Sequence, residues 1–275
     1  MLDLTSPAVM GVLNVTPDSF SDGGQFATLD AALRQARQML DDGAAILDVG
    51  GESTRPGAAA VSEQEELDRV IPVIEAITNE RPALVSVDTS KPSVMRAAAA
   101  AGAAMINDVC ALQADGALAT AVELQIPVCL MHMQGDPRNM QAEPEYADVV
   151  AEVTEFLAER MAQCEQAGLD RELLLVDPGF GFGKTPQQNI ELLANLRQLQ
   201  QLGCPVLIGV SRKSTLGVIT GRDVEDRMAA SIAAAVAAVL QGAQIIRAHD
   251  VAETLDAIRV AHCVLNNGLR ENGGI

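Results

Sequence analysis

The sequence predicts an α/β fold: one barrel of eight β/α units, with an active site at the carboxyl ends of the strands. Three observations carry that prediction. Eight short apolar runs recur along the 275 residues, and each reads as a buried parallel strand. Each run ends in polar or charged residues: Asn14, Asp48, Asp88, Asn107, Met131-His132, Asp177, Ser211-Arg212-Lys213 and Arg247-Ala248-His249-Asp250. Such groups are costly in a core unless they are paired or face a site. Finally, a unit recurs in weak form at Gly43 to Asp48, Gly102 to Asn107 and Gly242 to Arg247. A helix ends on Gly, Ala follows, a strand begins, and a polar residue falls five positions after the Gly.

Taken in order, strands are expected near 8–15, 45–50, 83–88, 104–109, 127–132, 173–177, 205–211 and 244–249. Helices fall between them, with a last one near 251–265. Ser62-x-x-Glu65 is a capping box ahead of a helix ending near Asn79. Ser90, followed by Lys91-Pro92, starts another. Thr185-Pro186-x-Gln188 joins an N-cap, a Pro at the first helical position and a capping-box Gln. Gly168 and Gly203 look like further helix-end glycines. Connections from helix to strand are short, whereas three from strand to helix (16–27, 50–61 and 133–144) are long. That asymmetry marks the carboxyl face as the elaborated one. A doubly wound open sheet is the rival, but it gathers ligands at one switch point, and here the polar strand ends span the chain. No linker breaks the composition, so 1–275 is expected to be a single domain.

Composition narrows the function. A net charge of −18 argues against nucleic acid as a partner, which wants a basic face, and requires any anionic substrate to find a local basic pocket. No apolar run is long enough to span a membrane, and the start lacks a signal-peptide pattern. Five scattered cysteines without a C-x-x-C pair read as reduced thiols of a cytoplasmic protein. Three histidines and no His-Glu-x-x-His argue against zinc.

The candidate chemistry lies at the strand ends. Asp88, Asp177 and Asn107 can offer acceptors and a donor to a planar heterocycle, or serve as structural partners of buried bases. Arg55, Lys213, Arg247 and His249 form a basic group suited to phosphate, and a diphosphate brings magnesium, for which Asn14 supplies an oxygen. Asn14 also reads as an ordinary turn residue. Strand parity puts Asn107 with Val109, Ser211 with Lys213, and Arg247 with His249 on shared faces. Four of the five Phe (Phe20, Phe26, Phe180 and Phe182) fall in strand-to-helix loops, where they either cover the barrel end or line a flat ligand. The segment from Asp177 to Thr185 is not a P-loop, because Pro178 stands where its first Gly belongs. Its glycines let backbone approach a ligand, and Lys184 reads as a solvated loop lysine.

Several of these stretches together resemble a known family. Gly11-Val12-Leu13-Asn14-Val15-Thr16-Pro17-Asp18-Ser19-Phe20-Ser21-Asp22-Gly23-Gly24 and Gly50-Gly51-Glu52-Ser53-Thr54-Arg55-Pro56-Gly57 resemble the two signature loops of the dihydropteroate synthases. Asp177 to Lys184, Ser211 to Ser214 and Arg247 to Val251 are similar to its later motifs, with Ala248 where the family often has Val. The resemblance runs over essentially the whole chain in the right order. It implies a (β/α)8 TIM barrel that joins 6-hydroxymethyl-7,8-dihydropterin diphosphate to 4-aminobenzoate, with Mg2+, as a homodimer open to competition by sulfonamides. It assigns Asp88, Asn107, Val109, Met131, Asp177, Lys213 and Arg247 to the pterin. Asn14, Thr54, Arg55, Arg247 and His249 go to the diphosphate, with Asn14 on the metal. Thr54, Pro56, Phe182, Lys213 and Ser214 go to 4-aminobenzoate. Lys213, Arg247 and Asp177 are catalytic by that resemblance, together with Phe20 and Asp22 on a first loop that closes over the reaction. The Ala-rich helix at 228–240 suits the close packing of a dimer. Three rivals stand beside this reading: a Schiff-base aldolase with Lys213 as nucleophile, a related pterin-binding barrel passing methyl groups to a corrinoid protein, and a non-catalytic pterin-binding scaffold.

Overall fold

The computed structural model describes residues 3–16, 24–53, 60–135 and 144–268, the side chains of 24–28 excepted. Eight parallel strands make one sheet: β1 (Ala8–Asn14), β2 (Ile46–Gly50), β3 (Val85–Asp88), β4 (Met105–Asp108), β5 (Val128–Met131), β6 (Leu174–Asp177), β7 (Leu207–Ile208) and β8 (Ile245–Ala248). Neighbours follow chain order, and β8 returns to β1 in a register pairing Met10 with Arg247. A parallel bridge between Val176 and Val206 spans the gap from β6 to β7, so the sheet closes into a barrel. Parallel neighbours need crossover connections. These are α1 (Gly24–Asp41), α2 (Glu63–Glu80), α3 (Pro92–Ala100), α4 (Ala117–Leu124), α5 (Val149–Ala167), α6 (Pro186–Ala194), α7 (Ser214–Thr220) and α8 (Met228–Leu240), followed by α9 (Val251–Leu265).

Local sequence explains the helix limits. Both capping boxes form: Ser62 and Glu65 open α2, and Thr185 and Gln188 open α6. The start expected at Ser90 differs. Helix α3 begins at Pro92 with Lys91 at the cap and no side-chain cap, because the Ser90 hydroxyl donates to Asp108 instead. The five helix-end glycines all take positive φ, from 69° at Gly203 to 104° at Gly102 and Gly168. At Gly43, φ 94° strains any L side chain, and a Cβ would also push against a Leu255 methyl 2.5 Å away.

Two apolar shells hold the barrel. Alternate strand residues such as Leu47, Val87, Ile106 and Val176 face the helices. The others point inward, where Met10, Ile46, Met105, Cys129, Leu175, Leu207 and Ile245 fill the floor. Two residues on, the same inward face becomes polar: Ile46 gives way to Asp48, Met105 to Asn107, Leu175 to Asp177 and Ile245 to Arg247. That single pleat separates core from site. Strand β7 is shorter than expected. The chain leaves strand geometry after Ile208, and Arg212 takes φ 57°.

Candidate active site

The inward polar residues form a connected network. Asn107 Nδ2 donates to Asp48 Oδ2 at 2.9 Å, and Arg247 Nε donates to the same oxygen at 2.6 Å. Arg247 Nη2 donates to Asp88 Oδ2 at 2.9 Å. The three polar residues of the recurring unit therefore meet one another, across three different strands. Burial pushes the Asp88 carboxyl upward in pKa; Arg247 pulls it down, and Asp48 pushes it further up. Asp48 was visible as a strand end but carried no expected role. Its partners lie 59 and 199 residues away in sequence.

Beside this network, β6 delivers Asp177. Its Oδ1 accepts the Gly179 N–H at 2.7 Å, and burial raises its pKa to about 6. The glycines that follow also allow close packing within the chain. A Cβ on Gly179, at φ 68°, would lie 1.9 Å from the His132 carbonyl oxygen. Gly181 leaves room for the Lys213 methylenes. Lys184 is no solvated lysine: it is 1 % exposed. Its Nζ lies 3.0 Å from His132 Nδ1 and donates to the carbonyls of Gly179 at 3.0 Å and Phe182 at 2.9 Å. An ammonium has three donors, and these three neighbours match them. Desolvation pulls Lys184 down to about 7 and His132 down to about 3, so the imidazole is neutral and free to accept. Lys184 thus ties the turn after β6 to the end of β5. Phe180 is buried in the outer core, so it is not a ligand-lining phenylalanine.

Strand parity does not carry Lys213 to the site; the turn does. Arg212, left-handed, is fixed by Ser231 Oγ accepting its N–H at 2.8 Å and by an ion pair with Asp250 at 2.7 Å. Lys213 Nζ then lies 3.9 Å from the centre of the Phe182 ring. Burial and the Arg247 cation lower Lys213 to about 8, against the pull of Asp177 and Asp88. Ser211 and His249 do meet, with Oγ 2.9 Å from Nδ1. Burial and the Arg247 charge bring His249 to about 4, so at neutral pH it is an uncharged imidazole and a donor. Met131 is buried at the end of β5. Val109 sits half-buried in the turn after β4. Asp108 holds that turn by accepting from Cys110 and Leu112 N–H groups, both at 2.8 Å.

Asn14 ends β1 half-buried, and Ser214 is exposed at the start of α7. Phe20, Asp22, Thr54, Arg55 and Pro56 lie outside the described residues, as does the side chain of Phe26. No cluster of three or more His, Cys, Asp or Glu able to hold a metal occurs among the described residues. Asn14 offers a neutral oxygen, not a cage. That donor suits a cation which keeps its waters and takes further oxygens from a bound diphosphate. Among the described residues no helix is long and apolar enough to cross a membrane.

A closed barrel whose strands end in a paired polar mouth defines a β/α-barrel enzyme. Comparison with known proteins narrows the class. The profile of a family described as pterin binding enzyme matches residues 10–249. The chain is 54% identical over 265 residues to the dihydropteroate synthase of Escherichia coli (strain K12), covering 96% of this chain and 94% of that protein. It is similar to the solved Yersinia pestis dihydropteroate synthase with a sulfonamide drug complex: 51% identity, 96% of each chain covered, TM-score 0.92. It is also similar to the Xanthomonas albilineans dihydropteroate synthase with 4-aminobenzoic acid: 54% identity, 96% of this chain and 95% of that one, TM-score 0.91. The chain belongs to the pterin-binding enzyme family and, within it, to the dihydropteroate synthases, which are transferases.

Proposed function

We propose that this protein condenses 6-hydroxymethyl-7,8-dihydropterin diphosphate with 4-aminobenzoate to give 7,8-dihydropteroate and diphosphate. The observation that carries the reading is the joined set of carboxylates and cations at the strand ends, with Arg247 between Asp48 and Asp88, and Lys213 within reach of the charge of Asp177. Asp88, Asn107 and Asp177 hydrogen-bond the pterin edge, Lys213 donates to its carbonyl or ring nitrogen, and Val109, Met131 and the Arg247 stem sandwich the ring. Arg247 and neutral His249 donate to the diphosphate, with Thr54 and Arg55 from the second signature loop. Phe182, Lys213 and Ser214, with Thr54 and Pro56, hold 4-aminobenzoate.

The reaction follows from charge. An aromatic amine is a weak nucleophile, whereas diphosphate leaves readily once its charge is neutralised. The carbon–oxygen bond breaks ahead of amine attack, and the carboxylates of Asp88 and Asp177 stabilise the pterin methyl cation. The electron pair of that bond departs on the diphosphate, drawn by Arg247. The amine then adds and loses one proton. Phe20 and Asp22, on the first loop, help exclude water. Magnesium, held through Asn14 when bound, would supply further neutralisation of the leaving group.

The active form is a cytoplasmic homodimer in this proposal. All five cysteines are free thiols, which supports a reducing compartment. Exposed Val218, Ile219, Met228, Val260, Val264 and Leu265 on α7, α8 and α9 support a face for a second copy. Ala234, Ala235 and Ala238 of α8 are buried, whereas Ala229 and Ala233 remain exposed beside that face. Light scattering reads the dimer directly. The reaction is tested by diphosphate release on mixing both substrates with magnesium. Release that depends on 4-aminobenzoate is expected. Binding of a methylated tetrahydrofolate without any release would favour methyl transfer instead, and a borohydride-trapped adduct on Lys213 would favour the aldolase.

A further inference from the structure

Asp48 is the one member of the inward network with no expected role, yet two ligand-facing side chains depend on it. It is fully buried in mid-barrel, one pleat above Ile46. A single oxygen, Oδ2, takes the Asn107 amide N–H at 2.9 Å and the Arg247 Nε–H at 2.6 Å. We propose that Asp48 is a positioning residue for the pterin and diphosphate subsites, setting the amide orientation of Asn107 and the guanidinium plane of Arg247. The inference rests on the proposed ligand roles of those two residues.

The geometry fixes both groups in a defined sense. With Nδ2 held by a carboxylate, Asn107 must present its Oδ1 as the acceptor. A flipped amide would set oxygen against oxygen in a buried place. Arg247 spends Nε on Asp48 and one Nη2 hydrogen on Asp88, along one side of the guanidinium. The Nη1 hydrogens and the second Nη2 hydrogen remain for an anion, in the bidentate arrangement that suits phosphate.

Stability alone does not account for Asp48. Its Oδ1 has no hydrogen-bond partner among the described residues, and neither has the Ser86 hydroxyl at the paired position on β3. A buried carboxylate with an unsatisfied oxygen is a poor stabiliser beside an apolar residue of similar volume.

The test uses full-length wild type, Asp48→Asn, Asp48→Ala, Asn107→Ala and the Asp48→Asn/Asn107→Ala double variant, each checked for folding by circular dichroism. The probes are 6-hydroxymethylpterin, followed by its fluorescence, and inorganic diphosphate with magnesium as a competitor. Losing hydrogen bonds to a charged group raises the pterin Kd about 100-fold in Asp48→Ala, with partial rescue to about tenfold in Asp48→Asn. Diphosphate binding weakens alongside, and the KM for 4-aminobenzoate stays within about twofold, because contacts distant from a change are rarely coupled to it. In the Asn107→Ala background the pterin effect of Asp48→Asn shrinks to the part carried through Arg247, as expected when one residue acts partly through the other. The inference is overturned if Asp48→Asn binds both probes like wild type, if its effect adds in full to that of Asn107→Ala, or if the loss is only in the fraction of folded protein. Should Asp48→Ala not fold, Asp48→Asn carries the test; if that also fails to fold at room temperature, Asp48 is a folding residue and the proposal is wrong. A wild-type protein that binds neither probe sinks the proposed function, whereas tight wild-type binding that ignores Asp48 sinks this inference alone.

Discussion

On β2, β4, β6 and β8 the floor and the mouth of the barrel lie two residues apart, and they differ in almost every physical respect. The floor is Met10, Ile46, Met105, Cys129, Leu175, Leu207 and Ile245, all buried and apolar. The mouth is Asp48, Asp88, Asn107 and Arg247, joined by charge-assisted hydrogen bonds, with Asp177 beside them held by the Gly179 N–H. A strand repeats every two residues, so one pleat moves a side chain from packing to chemistry without changing its direction. The apolar layer beneath makes each buried charge costly, and the barrel carries them because they are paired and hydrogen-bonded to one another.

The sharpest break in that comparison is Arg247→Ala. We expect turnover to fall by about three orders of magnitude or more, with diphosphate binding lost in parallel, since the cation that neutralises the leaving group is gone. An unchanged turnover number would remove Arg247 from the chemistry. A floor change should do the opposite. Ile46→Ala is expected to cost about 2–5 kcal/mol of stability in a urea melt. Its KM values should stay at wild-type levels in the folded fraction. A large KM change there would show that floor and mouth are not separable.

Lys184→Met gives an intermediate effect. It leaves the Gly179 and Phe182 carbonyls and His132 Nδ1 short of a donor, at a cost of about 1–3 kcal/mol. The turn carrying Asp177 and Phe182 loosens with it, so kcat/KM should drop while the barrel still folds.

The pH dependence is smaller and has opposite signs in two readouts. Asp177 titrates at about 6 in the folded protein against an ordinary value of 3.8, so the folded state holds the proton longer. Its contribution to ligand-free stability is full below about 4 and is lost as pH rises through about 6. Pterin binding, which needs the ionised acceptor, should instead strengthen across that window, by at most about tenfold per pH unit. Parallel movement of the two curves would contradict the assignment. Smallest of all is Arg37→Ala, which removes an exposed pair with Glu80 far from the site and should leave melting temperature and activity unmoved.

Much of the fold was legible because its signals are local. The Ser62 and Thr185 capping boxes, the glycines ending helices and the apolar runs each depend on a few neighbouring residues, and each falls where it was read. The polar strand ends were legible for the same reason. Partnership was not. The contacts of Asp48 join residues 59 and 199 positions apart, and only closure of the sheet brings them together. The burial of Lys184 is not legible in the sequence, because its partners are two backbone carbonyls and a histidine 52 positions away, none of which leaves a pattern beside it. Lys213 was placed by strand parity, yet it owes its direction to the left-handed Arg212. No composition rule forecasts that conformation for an arginine.

The most direct measurement is to supply the purified protein with the pterin diphosphate, 4-aminobenzoate and magnesium, and to quantify 7,8-dihydropteroate and free diphosphate together by mass spectrometry and a coupled assay. Equal amounts of the two, both abolished by Arg247→Ala and retained by the folded fraction of Ile46→Ala, are the predicted result. Diphosphate liberated with no dihydropteroate, or neither product from the wild-type chain, would contradict it.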